Sequence, residues 1–223
     1  MPPELRAYEA ACFQSFIVVL RWIFELGCAD PAMETLSMAS MMTLTCKGHL
    51  KVLFQMFYFL NNKHNAVMVF EPTEPDIDKS QFNNEDWSAT AYGECKYEIP
   101  PNTPRSHGIG FTMQAFVDCD HAGNSITRRY RTDFLIFMNC APIHWFSNKQ
   151  TDIDTSSFVS EFVLMKQYCE YVRGLRYKLR MLRIPVEIPT FVFGDNQSVL
   201  ANTLMPHSTL KNKKSSIAFH FLH

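Results

Sequence analysis

Three short segments each set a carboxylate where a regular element should begin or end. In Ala-Phe-Val-Asp-Cys-Asp-His-Ala-Gly (115–123), Asp118 lies near the end of an apolar run. In Ser-Ser-Phe-Val-Ser-Glu-Phe-Val (156–163), Glu161 falls in the first turns of a stretch with helical apolar spacing. In Phe-Val-Phe-Gly-Asp-Asn-Gln-Ser (191–198), Asp195 follows a short aromatic and β-branched run. Each acid has an ordinary structural use: Asp118 as a turn former, Glu161 as a partner of a helix N-terminus, Asp195 as a helix cap. Glu161, at the edge of an apolar stripe, is also placed to face a cation. The chemical reading rests on all three arriving at one place.

The surrounding elements would bring them there. Residues 111–119, 130–139 and 143–147 read as strands. A helix then starts near Ser156, with Phe158, Phe162, Met165, Cys169, Val172, Leu175, Leu179 and Leu182 spaced by threes and fours. Pro185 and Pro189 end it, 190–194 is a strand, and 196–203 a short helix. Strand, helix, strand is a crossover unit, so the first and last strands should run parallel and close together. Their carboxyl ends then share one side of the sheet, where open α/β folds bind ligands.

Ahead of this α/β pattern, residues 1–70 read as helical. Helices are expected over 13–24, 31–43 and 48–60, with a short strand at 66–70. So much of their surface is apolar that they should lean on something outside the chain. Residues 71–107 are acidic and punctuated by Pro72, Pro75, Pro100, Pro101 and Pro104, which reads as a linker on which Trp87 and Tyr92 dock. From residue 113 onward Lys and Arg number 13 against 9 Asp and Glu; the first 112 residues carry 8 against 13. The basic half is the one holding the three acids, which suits a nucleic-acid partner.

The seven cysteines are scattered and form no C-x-x-C pair, which argues against a zinc site or disulfide framework and for a reducing compartment. The most apolar stretch, 12–26, is interrupted by Gln14, Arg21 and Glu25, so no membrane span is expected. Residues 1–10 lack a charged region leading into an apolar stretch and a small-residue cleavage site, so secretion is not expected either, and the chain reads as intracellular.

The ordered motifs resemble the ribonuclease H of copia-type retrotransposon polyproteins. Asp118-Cys119-Asp120-His121-Ala122-Gly123 is similar to that family's first-strand segment, and Pro142-Ile143-His144-Trp145-Phe146-Ser147-Asn148-Lys149-Gln150 to its third strand. Ser156-Ser157-Phe158-Val159-Ser160-Glu161-Phe162 resembles its glutamate-bearing helix, although Val159 stands where the family has a further acid. Gly194-Asp195-Asn196-Gln197-Ser198 resembles its Asp-Asn-Gln-Ser signature. Upstream, 13–22 and 49–60 resemble helices at the C-terminal end of the matching reverse transcriptase.

The resemblance implies an α/β fold, a ribonuclease H-like mixed sheet with flanking helices over 108–223, preceded by a small mainly helical segment. It implies hydrolysis of the RNA strand of an RNA–DNA hybrid with two magnesium ions, about 3.5–4 Å apart, held by Asp118, Glu161 and Asp195. Asp118 would bridge the ions, and Asp120 would assist from the outer shell or form a turn. Arg128, Arg129, Arg131, Lys149, Asn196, Gln197 and Lys213 would contact the hybrid. Arg173, Arg176, Lys178 and Arg180 read as a solvated helix face. A polymerase part of a reverse transcriptase is a further implied partner, and no membrane is.

The family adds a strand and a helix with a fourth metal-binding Asp beyond the helix resembled by Ser216-Ile217-Ala218-Phe219-His220-Phe221. Here no Asp or Glu follows Asp195, imidazoles of His207, His220 and His223 suit magnesium poorly, and no Tyr-x-Asp-Asp-like segment occurs. A chain cut short is the expectation, with a non-catalytic hybrid-binding relic or a reverse-transcriptase accessory domain as the alternatives to an active nuclease.

Overall fold

Apolar residues recurring at helical spacing build the first part of the chain. Helix α1, Ala7–Glu25, buries Phe13, Ile17, Leu20 and Phe24. Helix α2, Ala32–Ala39, follows Pro31, and α3, Lys47–Asn62, supplies Leu53 and Met56 to the same core. The Phe16 ring meets Phe54 and Phe57 edge-on at 6.2 and 5.3 Å. These helices belong to one of two compact units in this computed structural model, Met1–Val69 and Phe70–His223. The structure describes residues 4–28, 30–43, 45–65, 68–82, 86–88, 93, 99–120, 131–149, 157–205 and 222.

The face of α1 turned from its core mixes polar residues with large apolar ones. Tyr8, Val18, Val19 and Trp22 are exposed, Trp22 to 63%, as is Leu26 just past the helix. By length and composition alone α1 is apolar enough to cross a membrane, as the core helix of a soluble protein can also be. It also carries an Arg21–Glu25 ion pair at 2.9 Å. The strand expected at 66–70 does not form where it is described: 68–70 are without regular structure, and Ala66 and Val67 lie outside the described residues. A lone β-branched run gains nothing from extension unless a neighbouring strand pairs with it.

The second unit is the α/β fold expected from the alternation of its residues. Strands β1 (Met113–Asp120), β2 (Arg131–Met138), β3 (Ala141–Lys149) and β4 (Phe191–Gly194) form one sheet in the order β3-β2-β1-β4. The pairs β1–β2 and β2–β3 are antiparallel; β1–β4 is parallel, with helix α4 (Ser157–Met181) returning the chain between β3 and β4. Every second residue of β1 (Met113, Ala115, Val117, Cys119) joins Phe134 and Ile136 of β2 in a core shared with Phe162, Met165, Tyr168 and Val172 of α4. The short helix α5, Gln197–Leu204, adds Val199.

Helix α4 ends by a Schellman arrangement: Ile184 N donates to Leu179 O at 3.0 Å, Arg183 N to Arg180 O at 2.8 Å, and Arg183 takes a φ of +66°. The acidic segment ahead of the sheet is tied to it. Asn139, at the β2–β3 turn, donates its side-chain amide to Pro72 O at 2.8 Å and accepts from Thr112 N at 2.9 Å. Thr112 Oγ1 reaches Glu74 at 3.1 Å, and the Phe82 ring packs edge-on against Phe191 at 4.8 Å. Trp87 is half-buried, and Tyr92 lies outside the described residues.

Tyr168 is 1% exposed and lies edge-on to Phe134 at 5.8 Å, with its hydroxyl unpartnered among the described residues. Burial drives its phenol pKa upward, so it stays a neutral, desolvated hydroxyl. Tyr168→Phe is therefore expected to leave the denaturation midpoint unchanged or raise it, by about 1 kcal/mol at most. A clear loss of stability would show that the hydroxyl is bonded.

Candidate functional site

The last paired couple of the parallel strands is Val117↔Gly194. The next residue on each chain is Asp118 and Asp195, so the two acids directly follow the last paired couple, on the carboxyl-terminal side of adjacent strands. Gly194 permits this closeness: a Cβ there would come within 3.3 Å of Val117 Cγ2. Both acids are exposed. Asp118 is inside β1, not in a turn.

Glu161 reaches the same end of the sheet from α4. Its Oε1 accepts a hydrogen bond from Asn196 Nδ2 at 3.0 Å. Asn196 also caps α5, its Oδ1 accepting from Ser198 N at 3.0 Å and Val199 N at 3.2 Å. The capping role read for Asp195 thus belongs to its neighbour, because the chain turns one residue later and leaves the Asp195 carboxylate outside the helix. Asn196, read as a nucleic-acid contact, has both ends of its amide engaged within the protein.

Register adds an acid that the sequence motifs do not reveal. Asp118 lies directly opposite Asp133 of β2. The buried partners of this pair of strands are Val117, Cys119, Thr132 and Phe134. Asp118 and Asp133 therefore share the other face, with Phe116, whose ring stacks on Phe193 at 5.1 Å. The visible signal is the alternation Thr132-x-Phe134-x-Ile136, which puts Asp133 on the sheet face away from α4, where it is half-buried; which residue it faces requires the register. Like charges in directly opposed positions work against sheet pairing, a cost that functional sites carry. Helix α4 packs on the opposite face, and among the described residues no group of three or more His, Cys, Asp or Glu could hold a metal ion.

The residues read as hybrid contacts or as a charged helix face have different surroundings. Arg131 is half-buried and its Nη1 donates to Ser147 Oγ at 3.4 Å. Lys149 ends β3, Gln197 is exposed at the first turn of α5, and Arg173 and Lys178 are exposed on α4. Arg128, Arg129, Lys211, Lys213 and Lys214 lie outside the described residues, as do His207, His220 and His223. Arg176 departs from the solvated face expected of it. Its guanidinium donates to Ile188 O at 2.9 Å, Thr190 Oγ1 at 3.1 Å and Val186 O. A planar fork of donors on a long stem reaches the turn that follows the helix, and three acceptors there outbid water.

Midway along α4, the His144 ring of β3 stacks on Tyr171 at 4.3 Å and 12°. Burial lowers the His144 pKa below its ordinary value. Between the folded and unfolded values the unfolded chain binds more protons, so stability is complete above the unfolded value, about 6.5, and falls as pH drops below it. Denaturation midpoints of the parent chain are expected to decline more than those of His144→Phe between about pH 7 and pH 5. Parallel profiles would show that His144 titrates alike in both states. Cys169, raised to about 11 by burial, is a packing thiol with no nucleophilic role at neutral pH.

Against this geometry, the chain matches no protein-family profile and no solved structure.

Proposed function

We propose that the chain derives from a retrotransposon reverse transcriptase and that its second unit hydrolyses the RNA strand of RNA–DNA hybrids as a ribonuclease H-like nuclease. The observation that carries this reading is the parallel β1–β4 pairing, which sets Asp118 beside Asp195, with Glu161 linked to the adjoining Asn196. Carboxylate oxygens suit magnesium, and Asp118, Asp195 and Glu161 would be the residues to hold it. Bound there, the ion would lend Lewis acidity toward a phosphoryl oxygen. The protein's own part is to fix the acids at one sheet end and to engage the sugar-phosphate backbones, which identify a hybrid by shape and 2′-hydroxyls.

A second reading, hybrid binding without hydrolysis, is favoured by one feature. Asp118 sits on the face of β1 away from α4, and the described acids form no three-membered metal-binding group. A cleavage assay on a labelled RNA–DNA hybrid with magnesium separates the two. Magnesium-dependent RNA fragments support the nuclease. Salt-sensitive hybrid retention with no fragments transfers the conclusion to the binding module, and neither cleavage nor retention removes both.

A further inference from the structure

The geometry points to Asn196 as the positioning residue of the acid site: one amide sets the Glu161 carboxylate against the N-terminus of α5, next to Asp195. The functional part of this inference rests on the nuclease reading; the contact does not. The orientation of the amide is forced by its partners. Ser198 N and Val199 N are donors, so Oδ1 must face them, at 3.0 and 3.2 Å. That leaves Nδ2 for Glu161 Oε1 at 3.0 Å, and no other orientation satisfies all three bonds.

The arrangement couples two elements far apart in sequence. Glu161 rides on α4, Asp195 on the end of β4, and Asn196 bridges them through its side chain while its backbone starts α5. Capping alone does not require this residue. Asp, Ser and Asn cap helices about equally well, and Asp also suits the helix dipole. What Asn supplies here, and Asp cannot, is an acceptor for the helix amides and, on a separate atom, a donor for a carboxylate; the hydroxyl of Ser has one oxygen for both and a shorter reach. An Asp in its place would keep the cap and bring a second negative charge against Glu161.

The test is a double-mutant cycle on the full chain, read by chemical denaturation. Asn196→Asp is expected to shift the folding equilibrium toward the unfolded state by about tenfold near neutral pH. Adding Glu161→Gln, whose amide can donate to the new carboxylate, is expected to return it to within about twofold of the Glu161→Gln single variant. A residue that only caps predicts Asn196→Asp as stable as the parent, and that result, with no coupling to position 161, overturns the inference.

A second arm reads function. Asn196→Ser keeps the cap and drops the amide donor. It is expected to raise the magnesium concentration for half-maximal hybrid cleavage while keeping the denaturation midpoint near that of the parent. An unchanged magnesium requirement also overturns the positioning role. If the parent cleaves no hybrid, the nuclease reading is lost, and the denaturation cycle still decides whether Asn196 holds Glu161.

Discussion

Arg176→Ala is expected to destabilise the second unit by about 3 kcal/mol, more than any other surface-accessible change in it. The guanidinium makes three hydrogen bonds into the segment between α4 and β4. Each involves a charged donor, a class worth about 1.5–3 kcal/mol apiece, and they overlap because they share one side chain. The acceptors are unequal. Val186 is buried and its carbonyl has least access to water, so its bond accounts for most of the loss, while Ile188 is partly exposed and can be rehydrated. Arg176→Lys should rescue little, because one ammonium cannot span acceptors at 186, 188 and 190 with the reach of a planar fork. The segment so held leads directly into β4, whose pairing with β1 brings Asp195 beside Asp118. Amide exchange at 191–194 should therefore accelerate in Arg176→Ala before exchange in β1 and β2 does. Equal stability of parent and Ala variant would show that solvent replaces all three bonds.

Local periodicity made most of the second unit legible. Alternation over 113–119 and 132–136 and steps of three and four from 158 to 179 defined its elements to within a residue or two, and the crossover rule paired β1 with β4 in parallel. What escaped is what depends on partners. The facing of Asp118 and Asp133 is a property of register, which neither strand encodes alone. Arg176 reads as one of several charges on a polar helix face; its inward reach depends on where the chain turns after residue 181. The displacement of the cap from Asp195 to Asn196 is a matter of one residue in the turn, and both types cap well. The run at 66–70 shows the converse case, since β propensity without a neighbouring strand leaves 68–70 irregular. Composition likewise hid the ties of Pro72 and Glu74 to the sheet, which rest on Asn139 and Thr112 far along the chain.

On the proposed nuclease reading, Asp118→Asn and Asp195→Asn are each expected to lower magnesium-dependent hybrid cleavage by about a thousandfold, since losing a carboxylate that would hold the ion removes several kcal/mol of charge stabilisation. The double variant should be little worse than either single, as residues acting as one unit are not additive. Stability gives the decisive contrast. Asp118 faces Asp133 across the antiparallel pair, so removing its charge relieves a like-charge opposition worth about 0.2–1 kcal/mol. Asp118→Asn should thus be slightly more stable than the parent while cleaving far less. Asp195, exposed and not the cap of α5, should change stability by less than about 0.5 kcal/mol. A structural acid behaves the other way: its loss costs stability, and activity falls only in proportion. Denaturation midpoints and cleavage rates measured on the same preparations separate the cases. An Asp118→Asn chain that is less stable than the parent, or that cuts hybrid at the parental rate, would remove Asp118 from the site. An Asp195→Asn chain with the parental rate would leave the β1–β4 adjacency as a feature of the fold alone.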